Sequence, residues 1–88
     1  MNNINNLWNK FPQTKPEHSG VFLVTVKLLK RNRYLLDIMF YDKDKNCWYK
    51  HLRYDKGYLV KKELITLENE IVIAWQTYQN IMYQPEDE

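Results

Sequence analysis

Between Val21 and Leu52, three apolar runs, VFLVTVKLL, YLLDIMFYD and CWYKHL, are separated by two short charged breaks, KRNR and DKDKN. A parallel pair needs a crossover of a dozen or more residues, so breaks this short force an antiparallel meander. The first run alternates with period two and puts Phe22, Val24, Val26 and Leu28 on one face. In the second, Leu36, Ile38 and Phe40 are expected to face the same core; in the third, Trp48 and Leu52 share a side. Asn32 in the first break can take the left-handed conformation that a tight tip requires.

The flanks are less uniform. Residues 1–20 are polar and carry Pro12, Pro16 and Gly20, which predicts an extended arm pinned by Trp8 and Phe11. Residues 58–68 suit either a short helix, from Val60, Leu64 and Leu67, or two short strands. The segment EIVIAWQTYQNIMY reads as a buried strand over 71–77, although Ile71, Trp75, Tyr78 and Met82 recur at helical spacing. Residues 84–88 form an acidic tail. The expected fold is one β-rich α+β domain spanning 1–88. It has a four-stranded, mainly antiparallel sheet at about 21–29, 34–42, 47–53 and 71–77, and one short helix or irregular segment in 58–68 or at the C-terminus. Its expected core is Trp8, Phe22, Val24, Ile38, Phe40, Trp48, Ile73 and Trp75.

Length sharpens this picture. A chain of 88 residues buries only roughly 60–65% of the surface its unfolded form exposes. Yet the strands carry apolar residues on both faces: Val21 and Leu23, Leu35 and Met39, Val72 and Ala74. A lone sheet with one wet face alternates more cleanly, so something is expected to cover the second face. The arm, the 58–68 segment and another molecule are the candidates, and the chain is expected to form a homodimer.

Thirteen Lys and Arg stand against eleven Asp and Glu, three of which are in the terminal PEDE, so residues 1–85 carry net +5. That mild charge tolerates phosphate-bearing partners without demanding them. Cys47 is the single cysteine, which excludes an intrachain disulfide and any paired-cysteine metal site. MNNINNLWNK has neither the basic start nor the apolar run of a signal peptide, and no apolar run approaches the ~20 residues of a membrane span. A reducing, cytoplasmic setting without membrane contact is expected.

Catalytic chemistry finds little footing. Ser19 directly follows His18, and neighbouring side chains of an extended segment point apart. Cys47 and His51 share a strand face but sit four residues, about 13 Å, apart. DKDKN opens like a calcium loop, but Cys47 replaces its obligatory Gly and Arg53 its bidentate acid. No enzyme, cofactor or metal is expected. The stretch WYKHLRYDKGY is more suggestive, because it alternates rings with cations. Tyr41, Tyr49, His51, Arg53 and Tyr54, with Lys30, Arg31 and Arg33 at the first tip, are the candidate ligand or partner residues. Lys50 adds to them if nucleic acid is the ligand.

Trp8, Pro12 and Pro16, then SGVFLVTV, Asp37, Tyr41, Trp48 and the closing VIAWQ resemble a family of small phage- and prophage-encoded proteins, the domain of unknown function family 551. The likeness covers about residues 7–77 as scattered positions, and it departs where Thr77-Tyr78-Gln79 replaces the family's Pro-Leu-Pro type of ending. That family carries no established activity, so no catalytic residue transfers. The resemblance implies a phage accessory protein acting in the host cytoplasm. The expected function is stoichiometric and non-enzymatic, as a counter-defence protein that inhibits a host protein or sequesters a small nucleotide. The alternative is a nucleic-acid binder using an aromatic and basic sheet face.

Overall fold

The computed structural model describes residues 7–78. Their strands are β1 (Asn9–Lys10), β2 (Gly20–Leu28), β3 (Arg33–Asp42), β4 (Cys47–Asp55), β5 (Tyr58–Leu64) and β6 (Glu70–Thr77). They form one sheet in the order β1-β6-β2-β3-β4-β5, every neighbouring pair antiparallel. The meander stands as expected, but the sheet has six strands rather than four. No α-helix occurs among the described residues. The ambiguous segment is β5, an edge strand, followed by a short irregular stretch that returns to β6. Residues 1–6 of the expected arm, the acidic tail and any helix beyond Tyr78 lie outside the described residues.

The turns follow from local chemistry. Asn32 has φ 49° in the β2–β3 tip and Asn46 has φ 52° in the β3–β4 tip. Asn reaches this left-handed region at less cost than most residues. Lys56 and Gly57 have φ 53° and 86°, and two successive positive φ values match the twist of a two-residue hairpin. There the chain folds β5 back onto β4.

Register decides which side chains are buried. The β2–β3 tip pairs Phe22 with Met39 and Val21 with Phe40, and directly opposed residues share a face. The first face therefore takes Phe22, Val24 and Val26 from β2, Met39 and Tyr41 from β3, Trp48 from β4, and Val72 and Trp75 from β6. Here the structure corrects the expected core. Leu36, Ile38 and Phe40 are on the opposite face, since the tip's length shifts the alternation of β3 by one residue relative to β2. Ile73 is only half-buried, because it is the extra residue where the β2–β6 register slips between Thr25 and Val26. Trp8 is half-buried and outside the core cluster.

The polar segment before β2 is not an extended arm. β1 pairs with β6, and residues 11–16 then turn across the first face. Phe11 sets its ring edge-on to Tyr41 and Trp48 at 6.0 and 5.4 Å. The Trp75 indole N–H donates to the Thr14 carbonyl at 2.8 Å, and Pro16 is buried. From the other side Ile65 is buried in the same cluster, its N–H donating to the Trp48 carbonyl at 3.2 Å. Edge-on ring pairs add about 0.5–1.5 kcal/mol each beyond the area they bury. Phe22 makes such pairs with Trp75 at 5.1 Å and Trp48 at 6.3 Å.

At the floor of this core, the Lys50 ammonium donates to the buried Glu70 carboxylate. That hydrogen bond holds the Lys50 ammonium above its ordinary pKa, so the lysine stays charged as far as its ordinary range and beyond. The pair ties β4 to the start of β6, two strands that are not neighbours in the sheet.

Candidate functional site

β3 and β4 stay together for only three pairs: Phe40 with Tyr49, Tyr41 with Trp48, and Asp42 with Cys47. Then they part. The cause is local to β4, where His51 adopts φ 55° and the β4–β5 register slips between Lys50 and Arg53. Such a bulge bends the strand that carries it. From there β4 and β5 run as a two-stranded arm that leaves the sheet, and among the described residues β3 from Arg33 to Met39 keeps β2 as its only strand neighbour.

The result is a wedge of about 500 Å³ lined by Val21, Asp37, Ile38, His51, Leu52 and Tyr54. Tyr78, the last described residue, also reaches it. The bulge moves Leu52 out of the alternation set by Trp48, so Leu52 joins Val21 and Ile38 in the wedge rather than Trp48 in the core. A hollow of about 770 Å³ adjoins it over Leu23, Leu36, Ile38 and Gln76. Together they make the second face of the sheet, apolar and half-open. The hollow over the first face, about 440 Å³, is bounded by Phe11, Trp48, Ile65 and Val72 and belongs to the core's own covering.

One hydrogen bond reveals how the wedge side of β3 is used. The Ile38 N–H donates to the Asp37 carboxylate at 2.7 Å. It therefore points away from β2, and by strand alternation so do the backbone groups of Leu36 and Tyr34. Phe40, of the same parity, points the same way and meets Tyr49 of β4. Asp37 thus occupies one edge donor, while the edge groups of Tyr34 and Leu36 have no partner among the described residues.

The expected site residues do not form one surface. Tyr41 is 1% exposed on the core side, its hydroxyl donating to Asn46 Oδ1 at 2.7 Å, and burial pushes its phenol above the ordinary range, with Cys47 and Asp42 adding to the shift. It is corrected from ligand residue to core residue. Tyr49 is on the second face, against Phe40 at 6.3 Å and beneath the Lys62 ammonium at 4.8 Å. His51 and Tyr54 do reach the wedge. His51 Nδ1 is 2.7 Å from Glu63 Oε1, and this bond holds the Glu63 carboxyl below its ordinary range. Arg53 is exposed on the arm, and Lys30, Arg31 and Arg33 are exposed at the β2–β3 tip, apart from the tyrosines.

The sequence reading missed Val21, Asp37, Ile38 and Leu52 as wedge residues. Asp37 alone left a trace, a single acid inside YLLDIMF. The Ser19 hydroxyl accepts the Lys43 N–H at 2.8 Å and serves the turn. Among the described residues no three His, Cys, Asp or Glu side chains gather as a metal set, and no helix is long and apolar enough to cross a membrane.

Fold and site together define a small antiparallel sheet domain with one face largely covered by its own chain, one open apolar face and a strand edge unpaired among the described residues. Comparison with family models, with curated proteins and with solved structures gives no match to the chain.

Proposed function

We propose that this chain works without catalysis, by binding a partner protein stoichiometrically through the second face of its sheet. The observation that carries the reading is the contrast between the faces. Val24 and Met39 are 0% exposed on the first face, whereas Tyr34 and Leu36 are 59% and 63% exposed on the second. An apolar face left open at that scale is what a protein-binding surface looks like in the free state. The resemblance noted above supplies the context of a phage counter-defence protein in the bacterial cytoplasm, with a host protein as target.

A nucleotide as ligand has less support, because no Lys or Arg lines the wedge and the acid Asp37 does. A nucleic-acid face has less again. Of the rings meant to stack bases, Tyr41 is in the core and Tyr49 is flanked by Phe40 and Lys62.

Immobilised protein incubated with bacterial lysate is expected to retain one host protein near equal stoichiometry. Leu36→Asp, at an exposed position, should release that protein with the fold intact by circular dichroism, and Val60→Asp on the arm should not. Retention unaltered by Leu36→Asp, or no retention at all, would overturn the reading. Recovery of a nucleotide from the denatured wild-type protein in place of a retained protein would turn it to sequestration.

A further inference from the structure

Bare strand edges are a liability that soluble proteins blunt with lysine, proline, bulges or a covering segment. Among the described residues, the β3 edge has none of these between Arg33 and Ile38. It instead exposes three consecutive apolar residues, Tyr34, Leu35 and Leu36, at 59, 37 and 63%. Its two charges, Arg33 and Asp37, make no salt bridge among the described residues.

Read in both directions, RYLLD is self-complementary. Laid antiparallel on itself about Leu35, it sets Arg33 opposite Asp37, Tyr34 opposite Leu36, and Leu35 opposite its own copy. We propose that β3 is the seam of a homodimer, in which the β3 edges of two copies pair antiparallel in this register and join two sheets into one.

Two independent features agree on that register. The first is hydrogen bonding. Tyr34 and Leu36 both aim their N–H and C=O away from β2, so each Tyr34–Leu36 pair exchanges two bonds, and the symmetric pair repeats them. A shift by one residue would oppose groups already bonded to β2. The second is charge, since the register makes two attractive Arg33–Asp37 pairs on one face.

The seam is isologous, each contact occurring twice about the two-fold axis. Five residues a side fall short of the ~800 Å² per partner of a stable interface. The β4–β5 arm supplies the rest, with Tyr54, Tyr58 and Val60 exposed along it. The arm leaves the β3 edge after Tyr49.

The inference goes beyond target binding and is tested on pure protein, so its failure is separable from failure of the binding reading. Light scattering on wild-type protein should show a dimer. Arg33→Asp and Asp37→Lys each set like charges opposite at both crossings, and each should weaken the dimer by about tenfold or more. Mixed at equal concentration, the two variants should form a heterodimer, because every crossing is then attractive. Leu36→Pro removes an outward N–H that β2 does not use, so it should keep the native circular dichroism and lose the dimer. A monomeric wild type, a dimer indifferent to both charge variants, or a mixture that stays monomeric would each overturn the seam.

Discussion

Trp75→Ala is expected to lower the unfolding free energy by about 3–5 kcal/mol and to move the urea midpoint sharply down. The indole is the largest side chain contributed by β6 to the core, packed on Phe22 at 5.1 Å and opposed to Val24 across the strand pair. Its N–H also holds the residues before β2 in place through the Thr14 carbonyl. Truncating a buried Trp costs this much because lost transfer energy and the cavity add, and a chain of 88 residues has only about 4–13 kcal/mol in total. The substitution also orphans the Thr14 carbonyl. Urea titration followed by circular dichroism is the check. A native-like midpoint would mean that β6 is not anchored through this ring. Leu36→Ala, on the open face of β3, is expected to move stability by no more than about 0.5 kcal/mol.

Phe11→Ala is expected to destabilise by about 2–4 kcal/mol, somewhat below the value for a fully buried ring because Phe11 is half-buried. Few single changes outside the main strands should cost as much. Phe11 is the side chain that lays residues 11–16 over the first face, edge-on to Tyr41 and Trp48, while its N–H donates to the Ile73 carbonyl at 2.9 Å. Its removal should also raise the exposure of Trp48, read as a red shift in tryptophan emission. A loss below about 0.5 kcal/mol with unshifted emission would mean that the sheet's first face is closed by something other than this segment.

The two substitutions separate what the sequence expressed from what it concealed. The meander over 20–55 was legible because period-two runs, short charged breaks and Asn32 all point to one solution. The rotation of β3 was not, because that strand carries two apolar stripes. Leu36-Ile38-Phe40 is the cleaner of them, whereas Leu35-Asp37-Met39-Tyr41 is interrupted by an acid. Hairpin register chose the interrupted stripe, which places Met39 and Tyr41 against Phe22 and Trp48 and leaves Asp37 where β4 has already departed. β5 was ambiguous for a different reason. Its Tyr58, Val60 and Leu64 remain exposed, so pairing with β4 holds the strand and burial leaves no clean period in its sequence.

The site was harder to read than the fold. Rings and cations in WYKHLRYDKGY suggested one patch, but strand alternation and the His51 bulge send Trp48, Tyr49 and Leu52 to three environments. No Gly or Pro marks that bulge, so nothing in the sequence announced where β4 would leave β3. The wedge is a consequence of three-dimensional divergence between two strands, and its residues come from β2, β3 and β4 with no shared motif.

The asymmetry of the two faces is tested most directly by thiol labelling in a Cys47→Ser background, with one new cysteine at a time and protein dilute enough to stay monomeric. Val24→Cys, on the sealed face, should react at least about 100-fold more slowly than the same protein in denaturant, because only opening of the core exposes it. Leu36→Cys, on the open face, should react at nearly its denatured rate. Equal protection at both positions would contradict the account, since the second face would then be covered by the chain itself and no surface would remain for a partner.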